Sequence, residues 1–259
     1  MNSLIEWYIV FAVGLFVTIV LASEIGRRSG FRMRKSDPEG ATRGTGTIDA
    51  AIFGLMGLLL TFTFFGAASR FDSRREDILR EANTIGTAFL RIKLVPPPSQ
   101  QHIREKFRQY LDARIAVYKK IPDLAAAASE LRRADSLKQD IWTMTISACE
   151  QTRDPAVKSL VLGSLNEMFD MADLRTGRAR MHPPIIVYVM LLVLVIACSL
   201  LAGNVMAESK ARNWLHILSF AVVLTLTVLV IVDLEFPRIG TIRIDEWDRV
   251  LQELRASMT

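Results

Sequence analysis

With only two cysteines and three histidines, the chain has few of the side chains that soluble enzymes use for chemistry. Cys198 lies inside an apolar run, so Cys149 and Cys198 give little support to a disulfide framework, a zinc site or a thiolate nucleophile. His102, His182 and His216 are far apart, with no HExxH or carboxylate-bridged spacing, and no Walker loop, nucleotide-binding glycine motif or nucleophile elbow is present. Asp245, Glu246 and Asp248 form a small acidic cluster, but the ligand density of a good calcium loop is missing, and a solvated helix start explains them better. The reading is therefore of a protein that is not an enzyme and has no cofactor or metal. The net charge of +5 comes from Arg-rich segments beside apolar runs, which suits membrane topology and anionic lipid better than nucleic acid.

What the sequence does have is long apolar runs. Leu4 to Ala22, Ala50 to Ala68, Pro184 to Ala202 and Trp214 to Val232 each reach the length of about 18 residues expected of a membrane helix. None carries an ionisable group in its central turns, since Glu6, His216 and Asp233 fall at or near the ends. The first run differs from a secretory signal peptide in lacking a basic leader, carrying Glu6 and being too long for such an apolar core. Trp7, Tyr8 and Trp214 suit the aromatic belt of a bilayer interface.

The second run passes without a break into charged sequence. Asp49 to Arg91 contains no proline, and a helix of roughly 40 residues would reach about 60 Å, twice the hydrocarbon thickness. Between the second and third runs the sequence predicts an all-helical domain over residues 70–183. The first helix continues to about Val95 and stops at Pro96-Pro97-Pro98. Further helices are expected from Ser99 to Lys120, Pro122 to Gln151 and, after the Asp154-Pro155 start signal, to Arg180. Ile78, Ala82, Ile85 and Phe89 share one face, as do Ile103, Phe107, Tyr110 and Leu111, and a packed bundle core accounts for both stripes. The fold class is thus all-α: four transmembrane helices with a helical extramembrane domain between the second and third. After residue 232 comes a bend at Asp233, Pro237 and Gly240. The amphipathic stripe Ile244, Trp247, Val250, Leu251 and Leu254 that follows could pack on the domain, on a neighbouring subunit or on the bilayer.

The Lys and Arg count points both ways for orientation. Arg27, Arg28, Arg32, Arg34, Lys35, Arg43, Lys210 and Arg212 in the connections at residues 23–47 and 203–213 favour that side as cytoplasmic. Arg70, Arg74, Arg75, Arg80, Arg175, Arg178 and Arg180, read as membrane flanks of the domain, favour the other.

Three zones of the long second helix hold the candidate site. Leu55, Leu58, Phe62, Phe65, Ser69 and Asp72 recur at steps of three and four along one face. Around a central axis this stripe would form a hydrophobic constriction, and otherwise it faces lipid or packs between helices. Gly54, Gly57 and Thr61 lie on a neighbouring face that would allow close helix approach. Arg70, Asp72, Arg74 and Arg75 form either a charged mouth that concentrates anions or a headgroup anchor with ordinary surface ion pairs. Glu81, Asn83, Gly86, Thr87 and Arg91 are candidates for inter-helix packing, buried hydrogen bonds or ion contact. Gly86 costs about 1 kcal/mol relative to Ala in a helix, which suggests a close neighbour.

The strings LLLTFTFFGAASRFDSRREDILREANTIGTAFLR and VDLEFPRIGTIRID resemble the bestrophin-like domain family of bacterial four-span membrane proteins, across nearly the whole chain. More remotely, that family is similar to the bestrophins, pentameric anion channels whose termini and helical domain are cytoplasmic. The resemblance implies a multi-pass protein of the bacterial inner membrane and a homo-oligomer, a pentamer by the same token. It also implies small inorganic anions as the permeant species and Leu58, Phe62 and Phe65 as the pore neck. The chain departs from animal bestrophins in having no dense acidic run after the last span, so calcium activation is not expected. The alternative function is a non-conducting membrane scaffold or sensor whose helical domain binds a partner.

Overall fold

A computed structural model describes residues 2–36, 45–121, 123–208, 212–238 and 240–258. Every regular element among them is helical, in the order α1 (Asn2–Ser36), α2 (Thr45–Arg91), α3 (Pro97–Lys119), α4 (Leu124–Glu150), α5 (Pro155–Ala179), α6 (Ile185–Met206), α7 (Trp214–Glu235) and α8 (Arg249–Ser257). Four of these, α1, α2, α6 and α7, are long and apolar enough to cross a membrane. The chain divides into two compact units, one of Met1–Arg70 with His182–Ile242, the other of Phe71–Met181 with Arg243–Thr259.

The first unit holds the four apolar runs. Its core is built from Leu15 and Ile19 of α1, Met56 of α2, Leu191, Leu194, Val195 and Cys198 of α6, and Ala221, Leu224 and Val228 of α7. Helices α1 and α6 cross closely, and glycine makes this possible. A Cβ at Gly26 would overlap the Leu200 carbonyl, and one at Gly203 would overlap the Ser23 carbonyl. Small residues are what let helix backbones meet without a water-driven collapse. Gly54 and Gly57, expected to serve a close approach, have nothing within 4 Å of a built Cβ in this chain.

Helix α1 outruns the expected span. It continues to Ser36, so Arg27, Arg28, Arg32, Arg34 and Lys35 are helical instead of belonging to a loop. Arg43 and Lys210, which also bear on orientation, lie outside the described residues, as does Pro122, the expected start of α4.

The second unit is a helical bundle whose core joins α2, α3, α4 and α5. Both predicted stripes are buried: Ile78, Ala82, Ile85 and Phe89 of α2, and Ile103, Phe107, Tyr110 and Leu111 of α3. Phe89 and Phe107 meet edge to face at 5.9 Å, and burying each such ring contributes about 1.5–3 kcal/mol. Helix α2 ends at Arg91 in a 3₁₀ turn, Ile92–Leu94, ahead of the three prolines. Gln100 then donates to the carbonyls of Lys93 and Val95, at 3.1 and 2.8 Å, which satisfies acceptors freed by the break. Asp123 and Asp154 cap α4 and α5, accepting from Ala126 N and Ala156 N. The C-terminal stripe packs on this bundle, with Ile244 and Leu251 in its core and Trp247, Val250 and Leu254 against it.

Candidate functional site

Within the first unit, α2 is the span with the fewest internal partners. Only 11% of its most apolar stretch is buried, against 28% in α1, 33% in α6 and 39% in α7. Its packing face is Ile52, Phe53, Met56, Leu59 and Leu60. Leu55, Leu58, Phe62 and Phe65 point away from that core and are 52–67% exposed. The hydroxyls of Thr61 and Thr63 bond back to the carbonyls of Gly57 and Leu59 at 2.8 and 2.7 Å, so neither leaves a demanding polar group on the apolar face.

The last residue of α2 in this unit, Arg70, is held by Glu235 at the end of α7. Arg70 Nε and Nη2 donate to Glu235 Oε2 at 2.8 and 2.7 Å. His182 Nδ1 lies 2.9 Å from Glu235 Oε1, and the imidazole stacks on Phe236 at 4.7 Å. Glu235 is nearly inaccessible, so its charge is matched at short range by Arg70, as burial of a carboxylate requires. Two residues before Glu235, Asp233 fixes the bend. Its Oδ2 accepts from Thr241 N at 3.0 Å, from Ile242 N at 3.3 Å and from the Thr241 hydroxyl. Gly240 sits so close that a Cβ there would overlap the Asp233 carboxylate, which explains glycine at that position. Pro237 falls in the turn between these two residues.

The rest of the expected collar belongs to the second unit. Asp72 is exposed and pairs with Arg75 at 3.1 Å. Arg75 also lies over the Trp247 ring at 4.2 Å, and Arg74 donates to the Met181 carbonyl at 3.1 Å. Glu76 pairs with Arg80 at 2.6 Å on the solvent side.

Deeper in this unit, Glu81 is fully buried between two guanidiniums. Arg114 Nε donates to its Oε1 at 2.6 Å and Arg175 Nη1 to its Oε2 at 2.5 Å. Arg175 also donates to Asp248 Oδ1 at 2.9 Å and lies over the Tyr118 ring at 3.7 Å. Arg114 adds bonds to the Tyr118 hydroxyl, to the Thr176 hydroxyl and to the Ala172 carbonyl, each at 3.3 Å. Burial alone pushes the Glu81 carboxyl upward, but the Arg114 and Arg175 charges outweigh it and hold it below its ordinary value. One turn away the balance is reversed. Burial dominates at Asp77 and raises its carboxyl despite a 2.7 Å bond from Arg178.

The structure corrects several expectations. Of the arginines read as membrane flanks, Arg175 is buried in the bundle as the partner of Glu81 and Asp248, and Arg178 pairs with Asp77 while staying partly exposed. Asp248 is turned inward to Arg175 and Asp245 pairs with Arg243, so these acids do not converge on one point. Asn83 and Thr87 are exposed on the single chain, whereas Gly86 faces Leu254 of α8 and Arg91 donates to the Leu160 carbonyl at 3.1 Å. Arg114 and Tyr118 are not evident as site residues from sequence, and neither is the inward role of Asp248. The available signal was an arginine on an apolar stripe: Arg114 follows Tyr110 and Leu111 at helical spacing, and Arg175 follows Met168, Met171 and Ala172 in the same way.

Four apolar helices and a separate helical bundle define a multi-pass, all-α membrane protein. The chain belongs to the bestrophin-like domain family, whose model matches residues 9–247. No curated protein and no solved structure matches it.

Proposed function

We propose that this protein is an oligomeric membrane ion channel in which α2 lines the conduit and Leu58, Phe62 and Phe65 form its hydrophobic neck. The observation that carries the proposal is the uncovered α2 face. A row of large apolar side chains points away from its own unit on the span with the least internal packing. Copies of α2 arranged around an axis would turn that row into a ring, and a narrow apolar ring blocks ions by dewetting. Family membership supports the same reading, because the bestrophin-like domain family, which the chain matches over residues 9–247, is remotely similar to the channel-forming bestrophins. The proposed permeant species is a small inorganic anion, and the pentamer and cytoplasmic bundle are likewise proposals carried by that resemblance. Arg70, Arg74 and Arg75 supply positive charge next to the neck sequence, although the Arg70 charge is largely matched by Glu235.

Planar-bilayer recording of the purified protein tests this directly. The expected result is an anion-selective conductance that rises when Phe62 or Phe65 is replaced by Ala. Silence across salts and pH, together with a stoichiometric partner lost on removal of the bundle, would instead support the scaffold reading.

A further inference from the structure

We propose that the outward ridge of α1 formed by Arg28, Arg32 and Lys35 is a binding surface for anionic phospholipid headgroups. The rotation of α1 is fixed by its inner face. Ala22, Ser23, Gly26 and Gly30 are buried, and the last three of these lie against Gly203, Leu200 and Asn204 of α6. With 100° between successive residues, Arg28, Arg32 and Lys35 must then share the opposite face, and all three are exposed.

The charge on this ridge exceeds what the described residues of the first unit neutralise. Glu24 is shared by three guanidiniums: Arg28 at 2.9 Å, Arg212 at 3.0 Å and Arg27 at 3.3 Å. Glu208 takes Arg34 at 3.4 Å. Among the described residues, Arg32 and Lys35 have no carboxylate within ion-pair distance.

Phospholipid is indicated over other acidic partners by what adjoins the ridge. Val13, Val17, Leu21 and Ile25 form an exposed apolar row in steps of four, and that row runs into Arg28 and Arg32. Phe31 and Met33 flank the cations and are about half exposed, as is Trp214, whose ring lies 5.8 Å from the Arg212 guanidinium. Apolar side chains leading into a cationic helix end fit acyl chains leading into a phosphate layer. Guanidinium groups bind phosphate oxygens in pairs, so Arg28 and Arg32, one turn apart, can engage one headgroup together.

The test uses the full chain in nanodiscs of equal phosphatidylglycerol and phosphatidylcholine, with the lipid that co-purifies after detergent extraction quantified by mass spectrometry. Retained phosphatidylglycerol is expected to exceed the bulk ratio about threefold. The Arg28→Gln/Arg32→Gln/Lys35→Gln variant should bring it back to the bulk ratio. The control variant Lys119→Gln/Arg132→Gln/Arg153→Gln in the bundle should leave it unchanged. Undiminished enrichment in the ridge variant, or equal loss in the control, overturns the proposal. So does capture of an oligoglutamate peptide by the protein in phosphatidylcholine alone, if that capture is abolished by the ridge variant. Should the triple variant melt at a lower temperature, Arg32→Gln and Lys35→Gln singly carry the same test, because neither breaks an ion pair among the described residues.

Discussion

The Arg175 guanidinium donates to the Glu81 carboxylate at 2.5 Å across 94 positions of sequence, and both side chains are buried. With Arg114 on the other carboxylate oxygen, Glu81 joins α2, α3 and α5, and through Arg175 it reaches Asp248 ahead of α8. Glu81→Gln would leave two buried guanidiniums facing a neutral amide. Breaking one side of a buried charge network costs about 3–5 kcal/mol, and denaturation of the purified full chain should show a loss of that size. The pH dependence has a defined sign. Because the folded carboxyl is held below its ordinary value of 4.5, its contribution is complete above that pH and disappears as pH falls through the folded value. Wild type should therefore lose stability on acidification below about pH 4.5, and Glu81→Gln should lose less over the same interval.

Asp77 should behave in the opposite way. Its folded carboxyl is raised above 3.8 by burial, so ionisation opposes folding, and stability from this group increases as pH falls from above the folded value towards 3.8. One of its oxygens, Oδ2, is buried without a hydrogen-bond partner, and Arg178 is partly exposed and can turn to water. Asp77→Asn is expected to change stability at neutral pH by no more than about 1 kcal/mol. A loss as large as that from Glu81→Gln would show that the Arg178 pair outweighs the burial.

Much of the fold was legible in the sequence because the apolar pattern states it twice. The four runs are longer as unbroken apolar stretches than a buried helix of a soluble domain carries, and the stripes of Ile78 to Phe89 and Ile103 to Leu111 repeat at helical spacing. The prolines at 96–98 and the Asp154-Pro155 pair located helix ends for equally local reasons. The extension of α1 to Ser36 was hidden because its arginines look like a loop until Gly26 and Gly30 are seen against α6. The buried ion network was hidden for a different reason. An arginine partner is chosen by tertiary proximity, and nothing local tells Arg175 to face Glu81 while Arg180 stays exposed. Of the candidate site, the periodicity of the α2 stripe was readable, but the Glu235 clamp on Arg70 links residues 165 positions apart and left no local trace.

The C-terminal segment offers a comparison between apolar and ionic attachment. Leu251 is fully buried in the bundle core, whereas Arg255 makes a two-bond pair with Asp112, at 2.8 and 3.1 Å, that remains partly exposed. Leu251→Ala should cost about 2–5 kcal/mol, through lost transfer energy and the cavity left behind. Arg255→Ala should cost about 1 kcal/mol or less, because solvent screens the pair. Proteolysis of the tail in the two variants, followed by mass spectrometry, would rank them, and equal susceptibility would contradict that order.

Glycine substitutions separate the helix contact inside one chain from any contact between chains. At Gly203 an added methyl would occupy the space of the Ser23 carbonyl, and at Gly26 that of the Leu200 carbonyl, so α1 and α6 would have to move apart along their shared seam. Overpacking of this kind costs about 1–3 kcal/mol, and more where the obstruction is backbone on both sides. Gly203→Ala and Gly26→Ala should thus lower the melting temperature in any detergent and reduce yield. Gly54 and Gly57 have open space at the same position, and alanine there gains about 0.5–1 kcal/mol of helix propensity. Gly54→Ala and Gly57→Ala should consequently leave the melting temperature of a dissociated chain unchanged or slightly higher. The same two variants bear on the channel reading when subunit number is measured by light scattering. If copies of α2 approach each other along the Gly54 and Gly57 face, alanine will weaken assembly without destabilising the fold, whereas intact assembly in both variants would place the interface on another face of α2.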